Sequence, residues 1–225
     1  MNSTHDLGGM HGFGPIDRGQ EAHFPTQWEQ KVFGLTLACG MLGQWNLDES
    51  RFAREQMDPG DYLNSSYYEH WLHGLEKLLV DKGVVTATEL ESGQAEETSA
   101  LNAVTADRVP DILGRGAPTR MDCDSAPGFA VGDEVRVKNF NPQSHTRAPR
   151  YIRGRKGIIA AYYGAHIFPD QHSVSGRKIP AHLYSMRFEF DELWGGSGVC
   201  EQGSDAGEGD KLAVYVDVFE PYIEQ

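Results

Sequence analysis

The apolar residues of this chain change period once, and that change limits the folds open to it. Up to about residue 91 they recur every three or four positions, the spacing of one helix face. Beyond Gly128 they alternate, the spacing of strands with one buried face. Between these regions, residues 92–127 are rich in Ala, Gly, Ser, Thr and Asp, with one weak helical pattern around 106–113. The expectation is an α+β chain in three parts: an N-terminal arm and helical domain over 1–91, a partly helical linker over 92–127, and a small antiparallel β-barrel of the SH3-like kind over 128–225.

Local signals give the elements. Trp28, Val32, Leu35, Cys39 and Leu42 predict a first amphipathic helix, with Cys39 in the core. Asn46, followed by Asp48 and Glu49, caps a second that ends near Met57–Gly60. A third runs from about Ser65 to Lys82 on the stripe Tyr68, Leu72, Leu75 and Leu79, and Gly83 stops it. Thr86 and Glu89 form a capping box for a short fourth. Val135/Val137, Ile158/Ile159, Met186/Phe188/Phe190 and the alternation from Leu212 to Val218 predict strands. Before all of these, Gly8–Pro15 holds four glycines and a proline in eight residues, which neither helix nor strand tolerates. Phe13 and Ile16 suggest that this arm lies on something else.

Of the 225 residues, 39% are hydrophobic and 24% charged, a balance that supports a packed core. No run approaches the roughly 18 apolar residues of a membrane helix. The first residues lack the basic and apolar regions of a secretory leader, so a cytoplasmic protein is expected. Three cysteines, Cys39, Cys123 and Cys200, lie far apart and exclude a disulfide framework. A net charge of −13 argues against a nucleic-acid binder. The acidity is uneven, however. Residues 135–156 carry Arg136, Lys138, Arg147, Arg150, Arg153, Arg155 and Lys156 with no acid among them. The plain reading is a solvated basic face.

Familiar catalytic signatures are missing: no P-loop, no GxSxG, no HExxH. His70 and His73 are one helical turn apart, but no third metal ligand lies nearby, so they read as interface histidines. More telling is Tyr67-Tyr68-Glu69-His70-Trp71, which crowds two phenols, an imidazole and an indole onto one turn. Arg51 belongs to the apolar region of Trp28 and Leu47, where a guanidinium is costly unless an anion meets it. An internal pair with Glu55 is the simpler alternative.

These residues carry a resemblance. The opening His5-Asp6-x-Gly8-Gly9-x-x-Gly12-x-Gly14-Pro15 resembles that of nitrile hydratase β subunits. So do Trp28-Glu29, Leu47-Asp48-Glu49-x-Arg51-Phe52 with Glu55-x-Met57, and Tyr67-Tyr68-Glu69-His70-Trp71. Val131-Gly132-Asp133-x-Val135-Arg136-Val137 and His145-Thr146-Arg147-x-Pro149-Arg150-Tyr151-x-Arg153-Gly154 follow in family order, as do Glu192-Leu193-Trp194-Gly195 and Asp217-x-Phe219-Glu220-Pro221-Tyr222.

The resemblance implies a hydro-lyase that turns small nitriles into amides. It implies cobalt or iron held by the cysteines of an obligate α-subunit partner, two of them oxidised, within an α2β2 heterotetramer. This chain itself would hold no metal and would meet neither nucleic acid nor membrane. His70-Trp71 after the tyrosines resembles the cobalt type. By the same resemblance, Arg51 and Arg147 hydrogen-bond the sulfenate and sulfinate oxygens, and Tyr67 lies beside the substrate. Leu47, Ser50 and Trp71 line the pocket. Tyr68, His70, His145 and Glu55 stand behind them. Ser3 and Ser144 replace family glycines, and Ser50 stands where some members have an aromatic. Two other readings remain at this point. Gly132–Val137 followed by Arg153–Ile159 also resembles the KOW-type barrels of RNA-associated proteins, a binding module. Thiocyanate hydrolase subunits are a further relative.

Overall fold

The computed structural model describes residues 1–15, 19, 24–96, 101–195 and 212–225. They form two compact units. The first comprises Met1, residues 3–118 and residues 172–176; the second comprises Asn2, residues 119–171 and residues 177–225. Among the described residues no helix is long and apolar enough to cross a membrane.

In the first unit the arm has turns but neither helix nor strand through residue 15. Ile16 lies outside the described residues. Helix α1 (Gln27–Gly40) opens on a Thr26/Glu29 capping box, α2 (Leu47–Glu55) on Asn46/Glu49 and α4 (Tyr67–Asp81) on Ser66/Glu69. Between the last two lies α3 (Pro59–Asn64), capped by Asp58, whose carboxylate accepts from Gly60 N at 2.8 Å. The proline-glycine pair that marks the end of α2 also starts this turn of helix. Helix α5 (Ala87–Ser92) ends on Gly93 at φ 67°, and α6 (Val109–Arg115) follows a short 3₁₀ turn.

Helices α2 and α4 cross closely because Gly74 carries no side chain. A Cβ there would meet Arg54 Cγ at 2.6 Å. Ala53 on α2 and Leu75 and Leu78 on α4 are buried. The stripe expected on α1 is only partly covered. Val32 is buried, but Leu35 is 53% exposed, Trp28 is exposed and Cys39 is half-buried rather than core. Its helical spacing is real, yet among the described residues much of that face stays exposed.

The second unit is an antiparallel sheet in the order β5-β4-β3-β2-β6, with β1 added to the far end of β3. The strands are β1 (Arg120–Met121), β2 (Glu134–Val137), β3 (Lys156–Ile167), β4 (Pro180–Glu189), β5 (Ala213–Phe219) and β6 (Ile223–Glu224). Irregularities between Ile159 and Ala161 and between Tyr162 and Gly164 bend β3. Val137, Ile152, Ile159, Tyr184, Met186, Phe188 and Val218 form the core, all nearly inaccessible. Gly157 is needed there, because a Cβ would stand 2.9 Å from Arg187 O. Helix α7 (Pro169–Ser175) follows β3, and its residues from His172 onward group with the first unit. Phe190, expected in a strand, opens α8 (Phe190–Trp194).

Candidate functional site

Helix α2 is built from its cap. Asn46 Oδ1 accepts from Asp48 N at 2.9 Å and Glu49 N at 3.0 Å, while Glu49 returns a bond to Asn46 N at 2.8 Å. This first turn places Asp48 inside, 7% exposed. One turn on, Arg51 Nη1 donates to Asp48 Oδ1 at 2.9 Å. The partner of Arg51 is therefore not Glu55. Glu55 instead approaches His5 Nε2, at 3.9 Å, so its place is behind the helix against the arm. Asp48 Oδ2 meets His172 Nδ1 at 2.9 Å. Among the described residues Asp48 is the hydrogen-bond partner of the Arg51 guanidinium, whose side chain stays 39% exposed.

Helix α4 supplies the aromatics. Glu69 accepts from Ser66 N at 2.5 Å, and this backbone bond holds its carboxyl below the usual range. Tyr67, first in the helix, is 64% exposed. Its ring lies 5.2 Å from Tyr68 and 5.9 Å from Trp71, and Phe24 and Phe33 extend the cluster beneath. Arg54 links the two helices. Its guanidinium sits 4.6 Å from the Trp71 ring centre, and it donates to Ser50 O at 3.0 Å and Ser50 Oγ at 3.3 Å. Burial lowers its pKa. Thus Ser50 and Trp71 are joined through a third residue, while Leu47, 56% exposed, and Tyr67 each stay open. His70 donates Nε2–H to Tyr62 O at 2.8 Å and stacks on the Tyr62 ring at 4.1 Å.

In the second unit Arg147 is exposed, and its guanidinium has no hydrogen-bond or ion-pair partner among the described residues. Its backbone is fixed instead. Arg147 N donates to the buried Tyr222 hydroxyl at 3.1 Å, and that hydroxyl donates to Asp170. Burial pushes the Asp170 carboxyl up, and burial beside Asp170 pushes the Tyr222 phenol far above its usual range. His145, fully buried, belongs to the same group and acts electrostatically on Asp170. The basic stretch is not one solvated face. Arg136 donates to Gly154 O, Lys138 to Pro221 O at 2.8 Å, and the buried Arg153 to Ala148 O at 2.9 Å. These three are tied to backbone carbonyls, while Arg147, Arg150, Arg155 and Lys156 are exposed.

A cleft of about 410 Å³ in this unit is lined by Cys123, Ser125, Phe129, His182 and Glu220. None of the expected site residues lines it. Its polar groups are already engaged: His182 with Tyr162 and Ser125, Glu220 with Tyr184 and Gly128 N. Among the described residues no three His, Cys, Asp or Glu side chains converge as a metal site.

Comparison with known proteins bears on this arrangement. The family model for the N-terminal part of the nitrile hydratase β subunit matches residues 1–117, and that for its C-terminal part matches residues 118–225. The chain belongs to the nitrile hydratase β-subunit family. It is therefore a component of a hydro-lyase. It is 40% identical to the nitrile hydratase β subunit of Pseudomonas putida over 100% of this chain and 99% of that one. It is 35% identical to the low-molecular-weight cobalt-containing nitrile hydratase β subunit of Rhodococcus rhodochrous over 99% of both. The β subunit of thiocyanate hydrolase from Thiobacillus thioparus is 33% identical but covers only 40% of this chain and 62% of its own length. End-to-end matching thus favours nitrile hydratase over both other readings.

Sequence reasoning missed Asp48, Arg54, His172 and the Tyr222–Asp170 pair as supports. Asp48 reads as an ordinary first-turn acid. His172 lies 124 residues from it, with no local pattern to connect them.

Proposed function

We propose that this chain completes the pocket of an αβ nitrile hydratase and holds in place oxidised cysteines of its α-subunit partner. The observation that carries this reading is the Arg51 guanidinium: oriented by Asp48, half-exposed, and one helical turn from the exposed Leu47 on the same helix. A guanidinium fork matches two anionic oxygens and stays charged. Arg51 and Arg147 would each present such a fork to sulfenate or sulfinate oxygens and keep them deprotonated. Tyr67 would orient the nitrile or carry a proton at its phenol oxygen. Leu47, Ser50 and Trp71 would exclude water from the pocket wall, with Tyr68, His70 and Glu55 behind them and His145 behind Arg147. The metal, held by the α subunit, would act as a Lewis acid that polarises the nitrile. The cobalt-containing relatives and the His70-Trp71 pair favour cobalt over iron.

The exposed Trp28, Leu35 and arm residues Met10 and Phe13 would be covered by that partner in a cytoplasmic α2β2 assembly. The bent sheet would close as a small SH3-like barrel. The test is expression with and without an α subunit. Only the coexpressed pair should hydrate nitriles; a soluble monomer that does so alone would refute the reading.

A further inference from the structure

We infer that Asp48 and His172 are the positioning residues for Arg51, acting as an imidazole–carboxylate–guanidinium chain whose first two members are buried. The inference rests on the reading of Arg51 as the group that meets oxidised cysteine oxygens. A carboxylate as buried as Asp48 needs a donor on each oxygen. It has them: Arg51 Nη1 on Oδ1 and His172 Nδ1 on Oδ2, both at 2.9 Å. An ionised carboxylate only accepts, so Nδ1 of His172 carries the hydrogen. His172 is 8% exposed. Its own carbonyl accepts from Asn46 Nδ2 at 2.9 Å, and Asn46 is the cap that builds the first turn of α2. One residue therefore fixes both the helix start and the backbone at His172, and the carboxylate cannot rotate away from either partner.

The arrangement has a chemical consequence. The guanidinium has five N–H donors, and Asp48 engages it at one nitrogen. That contact removes the rotational freedom of the side chain while other donors remain for a ligand. A helix i,i+3 pair at the surface would be loose and screened. This one has its anionic end buried and tied to a second element, so the guanidinium is pre-oriented before any partner arrives.

The test uses the assembled αβ enzyme with His172→Leu, His172→Asn, Asp48→Asn and, as a control, Arg51→Lys. An Asn side chain can place an amide N–H near the position of Nδ1; Leu cannot. His172→Leu should lower kcat about tenfold, within the 10–100-fold range of outer supports, with KM little changed. His172→Asn should recover most of that loss. The visible thiolate-to-metal absorption band should shift in His172→Leu and Asp48→Asn in the same direction as in Arg51→Lys. If His172→Leu does not assemble, Asp48→Asn carries the same comparison. Unchanged kcat and spectrum in the Asp48 and His172 variants, with Arg51→Lys inactive, would overturn this inference and leave the role of Arg51 standing. Full activity and an unshifted band in Arg51→Lys would overturn both.

Discussion

Helix α2 and the loop around Arg147 hold their arginines in opposite ways. On the helix, the side chain is held: Asp48 lies one turn back and grips the guanidinium directly. In the loop, the backbone is held: the Arg147 amide donates to Tyr222, and the side chain is left exposed. The difference follows from geometry. A helix supplies a neighbour three residues away on the same face. An irregular loop has no such neighbour and must take its anchor from the core, here a buried phenol bonded to a buried acid. A substitution at either arginine therefore breaks different things.

The largest expected effect separates activity from fold. Arg147→Lys keeps the charge and loses the planar fork. The kcat of the αβ enzyme should fall about 10²–10³-fold, the scale of removing one fixed donor to a reacting anion. Its melting temperature should stay put, because nothing in the described structure depends on that side chain. Arg51→Lys should lose comparable activity and also lower the melting temperature, since Asp48 loses its matched partner. Near-normal turnover in Arg147→Lys would make Arg147 an ordinary surface cation.

Tyr222→Phe attacks the loop anchor alone. It removes the acceptor of Arg147 N–H and a donor to Asp170 from a site only 3% exposed. The chain should lose about 1–3 kcal/mol in urea unfolding. Its kcat should fall less than in Arg147→Lys, since the guanidinium is still present but less well placed. Stability loss with unchanged kcat would show that the loop holds its shape without this bond.

The same contrast explains what was legible beforehand. The helix starts were, because a cap is written in four neighbouring residues: Asn46 with Glu49, Thr86 with Glu89. Parts of β2, β3, β4 and β5 were, because alternation is local too; the two-residue β1 and β6 are too short to show it. Helix α3 was missed because Pro59-Gly60 signals a stop as strongly as a start. Arg51 was visible as a charge in apolar company, but the internal partner weighed for it was Glu55, at the i,i+4 spacing, whereas the structure pairs it with the buried Asp48. What joins residues far apart, such as Asp48 with His172 or Tyr222 with Arg147, leaves no periodic trace. The basic stretch is split in the same way: Arg136 and Lys138 bond carbonyls distant in sequence, Gly154 O and Pro221 O, while Arg147, Arg150, Arg155 and Lys156 stay exposed.

The smallest effect tests whether α4 needs its cap to present Tyr67. Glu69 titrates below its usual range, chiefly because Ser66 N–H bonds its carboxylate. A carboxyl with a lowered folded pKa stabilises the fold fully above its unfolded value of 4.5. That contribution is lost as pH falls through the folded pKa, where both states become protonated. The group is fully exposed, so the effect is small and sensitive to salt. Other carboxylates titrate in the same window, so the readout is a difference between two proteins. The parent chain in its αβ complex should lose more urea stability between pH 7 and pH 3.5 than Glu69→Gln, whose amide does not titrate and can still accept from Ser66 N–H. At pH 7 the variant should be slightly less stable, and the gap should narrow as the pH falls below 4.5. Parallel curves would mean that the first turn of α4, with Tyr67 on it, is fixed by the aromatic cluster and not by its cap.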